Sequence, residues 1–364
     1  MTTSATRKTD LKSLALHELQ DFLRPLDKAA YRASQLVKWI YAHGVTDFDR
    51  MTNLSRRFRE QLAEVAYVST LEPSVTQVSE DGTVKFAFRV PGGTIESVVI
   101  PDEGRQTLCL STQVGCALAC AFCYTGSLGL TRHLTTAEIV NQICAANDWL
   151  VANGRPKLTN LVYMGMGEPL HNYEHTVRSI RIATLNDGLQ FSHRKITVST
   201  SGLLPEMERL ARDTQVHLAV SLHATTDATR TRLMPINRRY PLDALLDTCR
   251  RLPLGSRQRI TFEYTLIADV NDSEADARRL AALLRGIPSK VNLIAMNEHP
   301  ASPFKAPEYA RVRRFQDILQ AAGYTAFLRT RRGDDIAAAC GQLGERAPEG
   351  LELDSPLVGL AARA

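Results

Sequence analysis

Three closely spaced cysteines carry the strongest chemical signal in this sequence. Cys116, Cys120 and Cys123 lie within one short segment, Cys-Ala-Leu-Ala-Cys-Ala-Phe-Cys. Three thiolates from one loop can ligate three irons of a 4Fe-4S cluster and leave the fourth iron open to chelate the amino and carboxylate groups of S-adenosylmethionine (SAM). A structural zinc site fits less well, because it needs a fourth protein ligand and closer cysteine pairs. The alternative is three buried cysteines on a helix, which the predicted strand before the segment disfavours.

A glycine-rich loop offers a second set of groups suited to this chemistry. The run 165–169, Gly-Met-Gly-Glu-Pro, directly follows another predicted strand. Glycines let the backbone approach a ligand closely, and the Glu168 carboxylate can accept hydrogen bonds from an ammonium group. Taken alone this loop is a weak signal, because glycine-rich turns are common.

Two further cysteines and one carboxylate are candidates for chemistry. Cys109 lies in a predicted strand shortly before the cysteine segment, and Cys340 follows an alanine-rich piece that is predicted to be helical. Each is equally readable as a buried core thiol. Glu96 shares strand parity with Val98, so its carboxylate is predicted to face inward, and a salt-bridged glutamate is the alternative. Cys144 and Cys249 lie in helical stretches and are interpreted as core residues.

The elements that position these residues alternate between strands and helices. Helices are predicted between the strands, for example over 136–150 and 273–284. Such a pattern favours a parallel α/β sheet curved into a partial barrel, with its chemistry at the carboxyl ends of the strands. The predicted strands span residues 107–111, 160–164, 195–199, 217–222, 260–266 and 291–295.

The segments before the barrel have a different periodicity. Residues 10–70 show leucines and aromatic residues at helical spacing, whereas 84–90 and 94–100 alternate around a Pro-Gly-Gly turn and predict a hairpin. We therefore expect four regions. They are a helical accessory domain at 1–72, a β-hairpin extension at 73–101, the barrel at 102–335, and a C-terminal segment at 336–364 that carries Cys340 and ends in a loose tail from 341.

Composition narrows the setting in which the protein acts. The first residues have no apolar stretch after their charges, and no apolar run is long enough to span a bilayer, so we expect a cytoplasmic, membrane-free protein and a monomer. Clustered cysteines in a reducing compartment favour metal binding over disulfides. The net charge of +5 and the abundance of Arg make nucleic acid a plausible partner, although an Arg-rich composition is also common in proteins from GC-rich genomes.

The cysteine segment and the glycine-rich loop resemble the signature of the radical SAM superfamily. Five segments in the same order resemble more narrowly the RlmN/Cfr family of radical SAM RNA methyltransferases, over most of the chain to Leu343. The resemblance implies a partial (βα)6 radical-SAM barrel with a small N-terminal helical domain and a short hairpin extension. The segments are 107–116, 165–169, 199–202, 221–224 and 332–343.

The resemblance also implies a mechanism that uses two cysteines and two molecules of SAM per turnover. Cys340 takes a methyl group from one SAM, and a deoxyadenosyl radical from the second SAM removes a hydrogen from that methyl. The carbon radical adds to an adenine ring carbon. Cys109 then forms a transient disulfide with Cys340 and releases the product, while Glu96 serves as the base that removes the ring proton.

A set of SAM contacts at the strand ends follows from the same resemblance. The set consists of Gly167, Glu168, Ser199, Ser221, Leu222, His223 and Asn297. Ser221 to His223 are expected to contact SAM through backbone groups and the imidazole, and Asn297 through its amide. The segment 294–300 departs from the family pattern, since Glu298 and His299 stand where a proline and an aromatic residue are usual. This departure puts the geometry of that loop in question.

The substrates implied by the resemblance are RNA. C2 of an adenosine in 23S rRNA, at the peptidyl-transferase centre, is the expected target, together with adenosine 37 of tRNA. The basic runs 311–314 and 329–332 are candidate phosphate contacts. Reduction of the cluster requires an electron donor such as flavodoxin.

Three alternatives remain at the level of sequence. A Cfr-type enzyme shares the cysteines but methylates C8 of the same rRNA adenosine. A non-catalytic iron–sulfur RNA-binding protein needs the cluster but neither Cys109 nor Cys340. A radical activase that acts on protein shares the cluster loop but lacks that cysteine pair.

Overall fold

The structure is a computed structural model that describes residues 8–255 and 258–344. Most of the loose tail predicted for 341–364 lies outside the described residues. Within the described part of the chain, no helix combines the length and apolar character needed to cross a membrane.

The N-terminal unit is mainly helical and has its own hydrophobic core. Leu23, Leu36 and Phe58 are among its fully enclosed side chains. A short parallel pair of strands joins the two ends of the unit, and the sequence did not predict it because each strand has only two residues. The elements are β1 (Thr9–Asp10), α1 (Leu16–Leu23), α2 (Tyr31–Val37), α3 (Arg56–Val65) and β2 (Ala66–Tyr67).

The predicted hairpin is present and forms part of a three-stranded antiparallel extension. Its strands are β3 (Pro73–Val78), β4 (Val84–Val90) and β5 (Gly93–Asp102). Gly92 occupies the turn with φ of 88°, a left-handed conformation that glycine adopts without strain. The strand β3 was not predicted. β5 pairs with the first barrel strand, so the extension continues the main sheet.

The barrel alternates strands and helices as the sequence predicts. Its strands are β6 (Arg105–Cys109), β7 (Gln113–Gly115), β8 (Leu130–His133), β9 (Asn160–Tyr163), β10 (Ile196–Thr200), β11 (His217–Ser221), β12 (Ile260–Leu266), β13 (Ser289–Ala295) and β14 (Ala326–Leu328). Its helices are α4 (Tyr124–Ser127), α5 (Thr136–Ala152), α6 (Tyr173–Ala183), α7 (Leu204–Asp213), α8 (Asp227–Leu233), α9 (Leu242–Arg251), α10 (Glu274–Leu283) and α11 (Tyr309–Ala321).

One sheet joins the barrel to the extension. Its strand order is β14-β13-β12-β11-β10-β9-β6-β5-β4-β3, and the pairs from β6 to β14 are parallel. The six predicted barrel strands are confirmed as β6 and β9 to β13. The short strand β14 extends the parallel series and was not predicted.

Alternation along β12 shows how the sheet separates core from cavity. Phe262 and Tyr264 pack in the main hydrophobic core, where the Tyr264 ring lies 5.3 Å from that of Phe315 on α11. Glu263 and Thr265 point the other way and line a cavity at the carboxyl ends of the strands. Because side chains of a strand alternate between its two faces, β12 contributes one set of side chains to the hydrophobic core and the other set to the cavity wall.

The prediction of a helix before Cys340 was wrong. The alanine-rich segment forms only the short 3₁₀ turn Asp334–Ile336, and Ala337 takes a left-handed φ of 49°. Three alanines are too few to nucleate a helix against competing contacts. Those contacts come from the extension: Ser79 donates to Asp335 at 2.5 Å, and the Gly333 N–H donates to Asp81 at 3.1 Å.

Candidate active site

A cavity that is partly open to solvent lies at the carboxyl ends of the barrel strands. This is the position that a parallel α/β barrel predicts for its chemistry. Most of the residues singled out in the sequence line it: Cys116, Cys120, Cys123, Gly167, Glu168, Ser199, Ser221, His223, Asn297 and Cys340. Cys109 lines an adjoining cavity that also contacts Cys123 and Cys340.

Two predicted residues lie outside these cavities. The Leu222 side chain is fully buried, and its backbone N–H donates to Glu263 O at 3.0 Å. Its carbonyl also accepts from Arg230 at 3.2 Å, so both backbone groups have partners within the fold. Glu96 is also buried and lies beneath the Cys340 segment, to which it is hydrogen-bonded.

The cysteine loop follows β7 and is shaped by backbone contacts. Gly115 has φ of 73°, and a Cβ there would lie 1.8 Å from Gly129 O, so only glycine fits. The Cys116 N–H donates to the same carbonyl at 2.8 Å. Further along, the Ala121 N–H donates to Leu233 O at 2.9 Å, which ties the loop to the end of α8.

The three loop thiols share one enclosed environment. Burial raises the pKa of Cys116 to about 12 and raises the pKa values of Cys120 and Cys123 as well. The neighbouring thiols raise these pKa values further, because like charges close together disfavour ionisation. The loop therefore needs a positive group to hold all three residues as thiolates, and a bound metal centre provides one.

The three thiols are a donor set that an iron–sulfur cluster can use. Across residues 8–255 and 258–344, no group of three or more His, Cys, Asp or Glu side chains is arranged to hold one metal ion. In a cuboidal cluster each cysteine ligates a different iron, so the thiols need not converge on one point. The donor set of three thiols in one loop thus fits the cluster that the sequence predicts.

Glu168 is held rigidly beside the loop. Its carboxylate accepts the Leu170 N–H at 3.0 Å and the Ser201 N–H at 2.8 Å. Burial raises its pKa to about 7, and these hydrogen bonds oppose that effect. At Gly167, φ is 100° and a Cβ would lie 2.5 Å from the Gln113 side chain, so the loop can close only with glycine there.

His223 is a neutral imidazole on the cavity wall. Its Nδ1 accepts the Thr265 N–H at 2.8 Å, which leaves the proton on Nε2. Burial, and next the charge of Arg230, lower its pKa to about 3. The Phe122 ring from the cysteine loop packs edge-on against it at 4.7 Å. His223 is therefore a hydrogen-bonding and packing group here, and not a cation.

Asn297 connects the end of β13 to the Cys340 segment. Its side-chain N–H donates to Cys340 O at 2.9 Å, and its Oδ1 has no hydrogen-bond partner among the described residues. Glu298 and His299, which depart from the family pattern, make further contacts next to Asn297. The Glu298 carbonyl accepts from Gln342 at 3.0 Å, and a ring nitrogen of His299 lies 3.2 Å from Phe122 O.

Cys109 and Cys340 are both free thiols and differ in exposure. Cys109 ends β6 and is 7% exposed, whereas Cys340 is exposed. Burial, followed by the nearby Cys340, raises the pKa of Cys109 to about 12. Arg329 and Cys340 together line three cavities, and the nearby Cys340 is the first cause of the raised pKa of Arg329.

Glu96 lies at the junction of the extension and the Cys340 segment. One oxygen is 3.7 Å from Lys85 Nζ, and the other accepts the Gly344 N–H at 2.7 Å. Lys85 also donates to Ala337 O at 3.4 Å. The two side chains thus contact the Cys340 segment on both sides of the cysteine.

Two charged residues of the site, Glu263 and Arg230, were missed in the sequence, whereas Arg329 was named there only as part of the basic run 329–332. Glu263 and Arg329 line the main cavity, and Arg230 is fully buried behind it. Glu263 could have been identified from the sequence, since it is a charged residue that interrupts the apolar run of β12. Nothing in the sequence distinguishes Arg230 from its exposed neighbour Arg232, because only the fold decides which helix face is covered.

Comparison with known proteins covers nearly the whole described chain. The model for the "Ribosomal RNA large subunit methyltransferase N-terminal domain" matches residues 9–68, and that for the "Radical SAM superfamily" matches residues 110–281. Dual-specificity RNA methyltransferase RlmN from Geobacter sulfurreducens is 53% identical over 92% of this chain and 91% of its own length. The protein of the same name from Desulfotalea psychrophila is 49% identical over 94% and 96%.

A solved structure agrees with these relatives. A radical SAM methyltransferase from Sphaerobacter thermophilus superposes with a TM-score of 0.86 at 48% identity, covering 92% of this chain and 99% of that one. Radical SAM proteins as a class use a 4Fe-4S cluster and SAM. With the cysteine loop, the barrel and the two outlying cysteines described above, these matches show that the chain belongs to the RlmN family of radical SAM RNA methyltransferases.

Proposed function

We propose that this enzyme methylates C2 of an adenosine in 23S rRNA and of adenosine 37 in tRNA. The observation that carries the proposal is the shared location of two free cysteines, Cys109 and Cys340, beside a loop of three further thiols. Neither a radical activase nor a non-catalytic iron–sulfur protein requires this pair of cysteines. Relatives at about half identity named dual-specificity RNA methyltransferases favour this function over the Cfr-type C8 alternative.

The cysteine loop is proposed to hold the cluster. Cys116, Cys120 and Cys123 serve as its ligands and leave one iron for SAM. When bound, the cluster supplies the electron that cleaves SAM reductively. Enclosure of the three thiols supports this role, because a buried, positively charged metal core offsets the cost of ionising them.

The SAM contacts are proposed at the strand ends. Glu168 accepts from the methionyl ammonium, and Gly167 allows the backbone to come close. Ser199, Ser221 and Asn297 offer polar groups to the rest of the molecule, His223 donates from Nε2, and Leu222 fixes the strand end. The unpartnered Oδ1 of Asn297 supports its assignment, because a buried amide oxygen without a partner is costly until a ligand donor reaches it.

Cys340, Cys109 and Glu96 are proposed as the catalytic residues. Cys340 is exposed, so its sulfur can accept a methyl group from one SAM while a second SAM serves the radical step. Cys109 then bonds to the Cys340 sulfur. This step breaks the bond between that sulfur and the transferred carbon, which takes up a proton and leaves as the methyl group of the base. Glu96 accepts the proton from the ring carbon, and its hydrogen bond to Gly344 keeps it beside the Cys340 segment.

The RNA is proposed to bind across the N-terminal unit and the rim of the cavity. The two basic runs differ in the structure. Arg311 and Arg314 on α11 are engaged with Asp272 and Glu274 at 2.9 and 3.0 Å. Arg331 and Arg332 line the cavity beside Cys340 and lie farther from their acidic neighbours, at 3.9 Å from Asp334 and 4.0 Å from Asp81. We therefore assign the phosphate contacts to the second run, and a structural role to the first.

The wider setting completes the proposal. We propose the four regions 1–72, 73–101, 102–335 and 336–364 as the functional divisions of the chain, with the first contributing to RNA binding. The enzyme acts as a cytoplasmic monomer, and flavodoxin or a similar one-electron donor reduces the cluster.

The test is a direct analysis of the product. The anaerobically reconstituted enzyme is incubated with SAM, a reductant and unmodified 23S rRNA or tRNA, and the digested nucleosides are identified by mass spectrometry. We expect 2-methyladenosine from both RNAs, its loss in Cys340→Ala, and its retention in the matched control Cys144→Ala. An 8-methyladenosine peak, or deoxyadenosine without any methylated nucleoside, would contradict the proposed target.

A further inference from the structure

A fully buried arginine lies behind the cluster loop. Arg230 on α8 is 0% exposed, and no Asp or Glu oxygen of the described residues lies within 4.0 Å of its nitrogens. A buried cation without a carboxylate partner is costly, because desolvation is not repaid by a nearby anion. Its retention inside the fold points to a charge that the protein acquires from elsewhere.

The guanidinium is satisfied entirely by neutral acceptors. Each nitrogen donates to at least one oxygen at 2.8 to 3.4 Å. The acceptors are the carbonyls of Ser201, Ser221, Leu222 and Tyr240 and the side-chain oxygen of Asn237. Three of these carbonyls belong to the ends of β10 and β11, where the SAM contacts are proposed. The planar fork of arginine therefore fixes two neighbouring strand ends together.

Arg230 is also connected to the cluster loop. The Ser201 residue whose carbonyl it contacts lines the same cavity as Cys120. Leu233, at the end of the same helix, accepts the Ala121 N–H at 2.9 Å and packs with Cys120 and Phe122. Ser201 and Leu233 thus connect the arginine to the cysteine loop by two separate routes.

The anionic groups around Arg230 are few. The groups that raise the pKa of Arg230 are, in order of effect, Cys120, Asp227 and Cys249. Burial lowers the pKa of Arg230 to about 10, so the side chain remains a cation at neutral pH. Cys249 is a buried thiol whose pKa is raised to about 12, and the Asp227 carboxylate is already bonded to Asn237 and the Leu242 N–H.

We propose that Arg230 is a positioning residue that supplies the buried countercharge of the cluster and, through its carbonyl contacts, fixes the SAM-binding ends of β10 and β11. A 4Fe-4S cluster with three thiolate ligands is anionic, and one-electron reduction makes it more so. A nearby buried cation favours the reduced form, because net charge and hydrogen bonding set the potentials of such clusters. The inference rests on the radical SAM chemistry of the proposed function, but not on the RNA target.

Two substitutions test the positive charge of Arg230 separately from the forked hydrogen-bonding geometry of its guanidinium group. Arg230→Gln removes the cation, and Arg230→Lys keeps it while losing the fork geometry. Arg238→Gln is the matched control, since it makes the same charge change at an exposed position just after α8. Each reconstituted holoenzyme is poised with redox mediators and dithionite, and the ratio of reduced to oxidised cluster is read by electron paramagnetic resonance. SAM affinity is measured on the same samples without RNA.

For Arg230→Gln we expect the ratio of reduced to oxidised cluster at a fixed potential to fall about tenfold, which is about 59 mV for a one-electron couple. For Arg230→Lys we expect a ratio within about twofold of the parent and SAM binding weakened about tenfold, since a single lost charge-assisted contact has about that effect. Arg238→Gln should match the parent in both measurements.

Two results would overturn the proposal. One is an unchanged ratio in Arg230→Gln at full iron content. The other is a tenfold fall in this ratio in Arg230→Lys. The Arg230→Lys result decides the matter by itself if Arg230→Gln does not retain its cluster. Because no RNA is present, a wrong RNA target would leave these results unaffected.

Discussion

The Glu96 carboxylate accepts a hydrogen bond from the Gly344 N–H at 2.7 Å, across 248 positions of sequence. The contact joins the extension to the segment that carries Cys340. Lys85 holds the other oxygen of the same carboxylate and reaches Ala337 on the opposite side of the cysteine. The proposed base and the proposed methyl carrier are therefore positioned by one small set of contacts.

Replacing Glu96 by glutamine should separate the two halves of the reaction. The amide keeps the size and one acceptor oxygen but cannot take a proton. We expect methylation of Cys340 by SAM to continue, while formation of 2-methyladenosine falls by about a hundredfold or more, as is usual for loss of a general base. Mass spectrometry of the protein and of the RNA measures the two steps. Equal loss of both would indicate that Glu96 only supports the fold.

Replacing Lys85 by methionine should destabilise the protein. The lysine and Glu96 are both almost fully buried, and removing one member of a buried ion pair leaves the other charge poorly compensated. We expect the free energy of unfolding in urea to fall by about 3 kcal/mol. The double variant Lys85→Met, Glu96→Gln should lose less than the sum of the single losses, and simple additivity would contradict the coupling.

Replacing Cys109 by alanine should trap the RNA on the protein. Without the thiol proposed to release the product, the base should remain bonded to Cys340 through its new methylene group. We expect a covalent protein–RNA species on a denaturing gel and a strong loss of free product. Cys144→Ala is the control, because that thiol lies on α5 and lines no described cavity around Cys340. Normal turnover in Cys109→Ala would exclude the two-cysteine route.

Replacing His223 by asparagine should reduce acid sensitivity. The folded-state pKa of His223 is lowered to about 3, whereas an unfolded histidine titrates near 6.5. Between these values the unfolded chain binds a proton that the folded chain does not, so stability falls as the pH drops. The difference in unfolding free energy between pH 7 and pH 5 should shrink by about 2 kcal/mol in the variant. Asparagine also tolerates the positive φ of 54°.

Replacing Arg331 by glutamine should weaken RNA binding in a salt-dependent way. A lost phosphate contact lowers the slope of log K against log salt by about one and affects all sequences alike. Arg314→Gln is the matched control, since Arg314 is engaged with Glu274 on the outer helices. Binding is measured by fluorescence anisotropy with a tRNA anticodon stem-loop at several salt concentrations. Equal slopes for both variants would remove the second basic run from the RNA surface.

Much of the fold was predictable because its signals are local. The strand β12 was predicted with its observed bounds, and α5 differs from its prediction only at its end, since both have a clear apolar periodicity. The short strands β1, β2 and β14 were missed, because they are too brief for any period to appear. The helix predicted before Cys340 was wrong because distant contacts to Ser79 and Asp81 determine that conformation.

The site was predictable where residue type and spacing define the chemistry. The three loop cysteines and Glu168 were found in this way, and the structure brings them to one cavity. Arg230 and Lys85 were not, because an arginine or lysine in a sequence is usually a solvated residue. Only the fold reveals that these two cations are buried, and burial is what gives their charge a strong effect.

The contacts between the extension and the Cys340 segment have a consequence for synthesis. The extension is synthesised before the barrel strands. The hydrogen-bond partners of Ser79, Asp81 and Glu96 are translated only after β14, so these contacts cannot form until then. The Cys340 segment is therefore the last part of the site to be fixed in place, against an extension and a barrel that precede it in the chain.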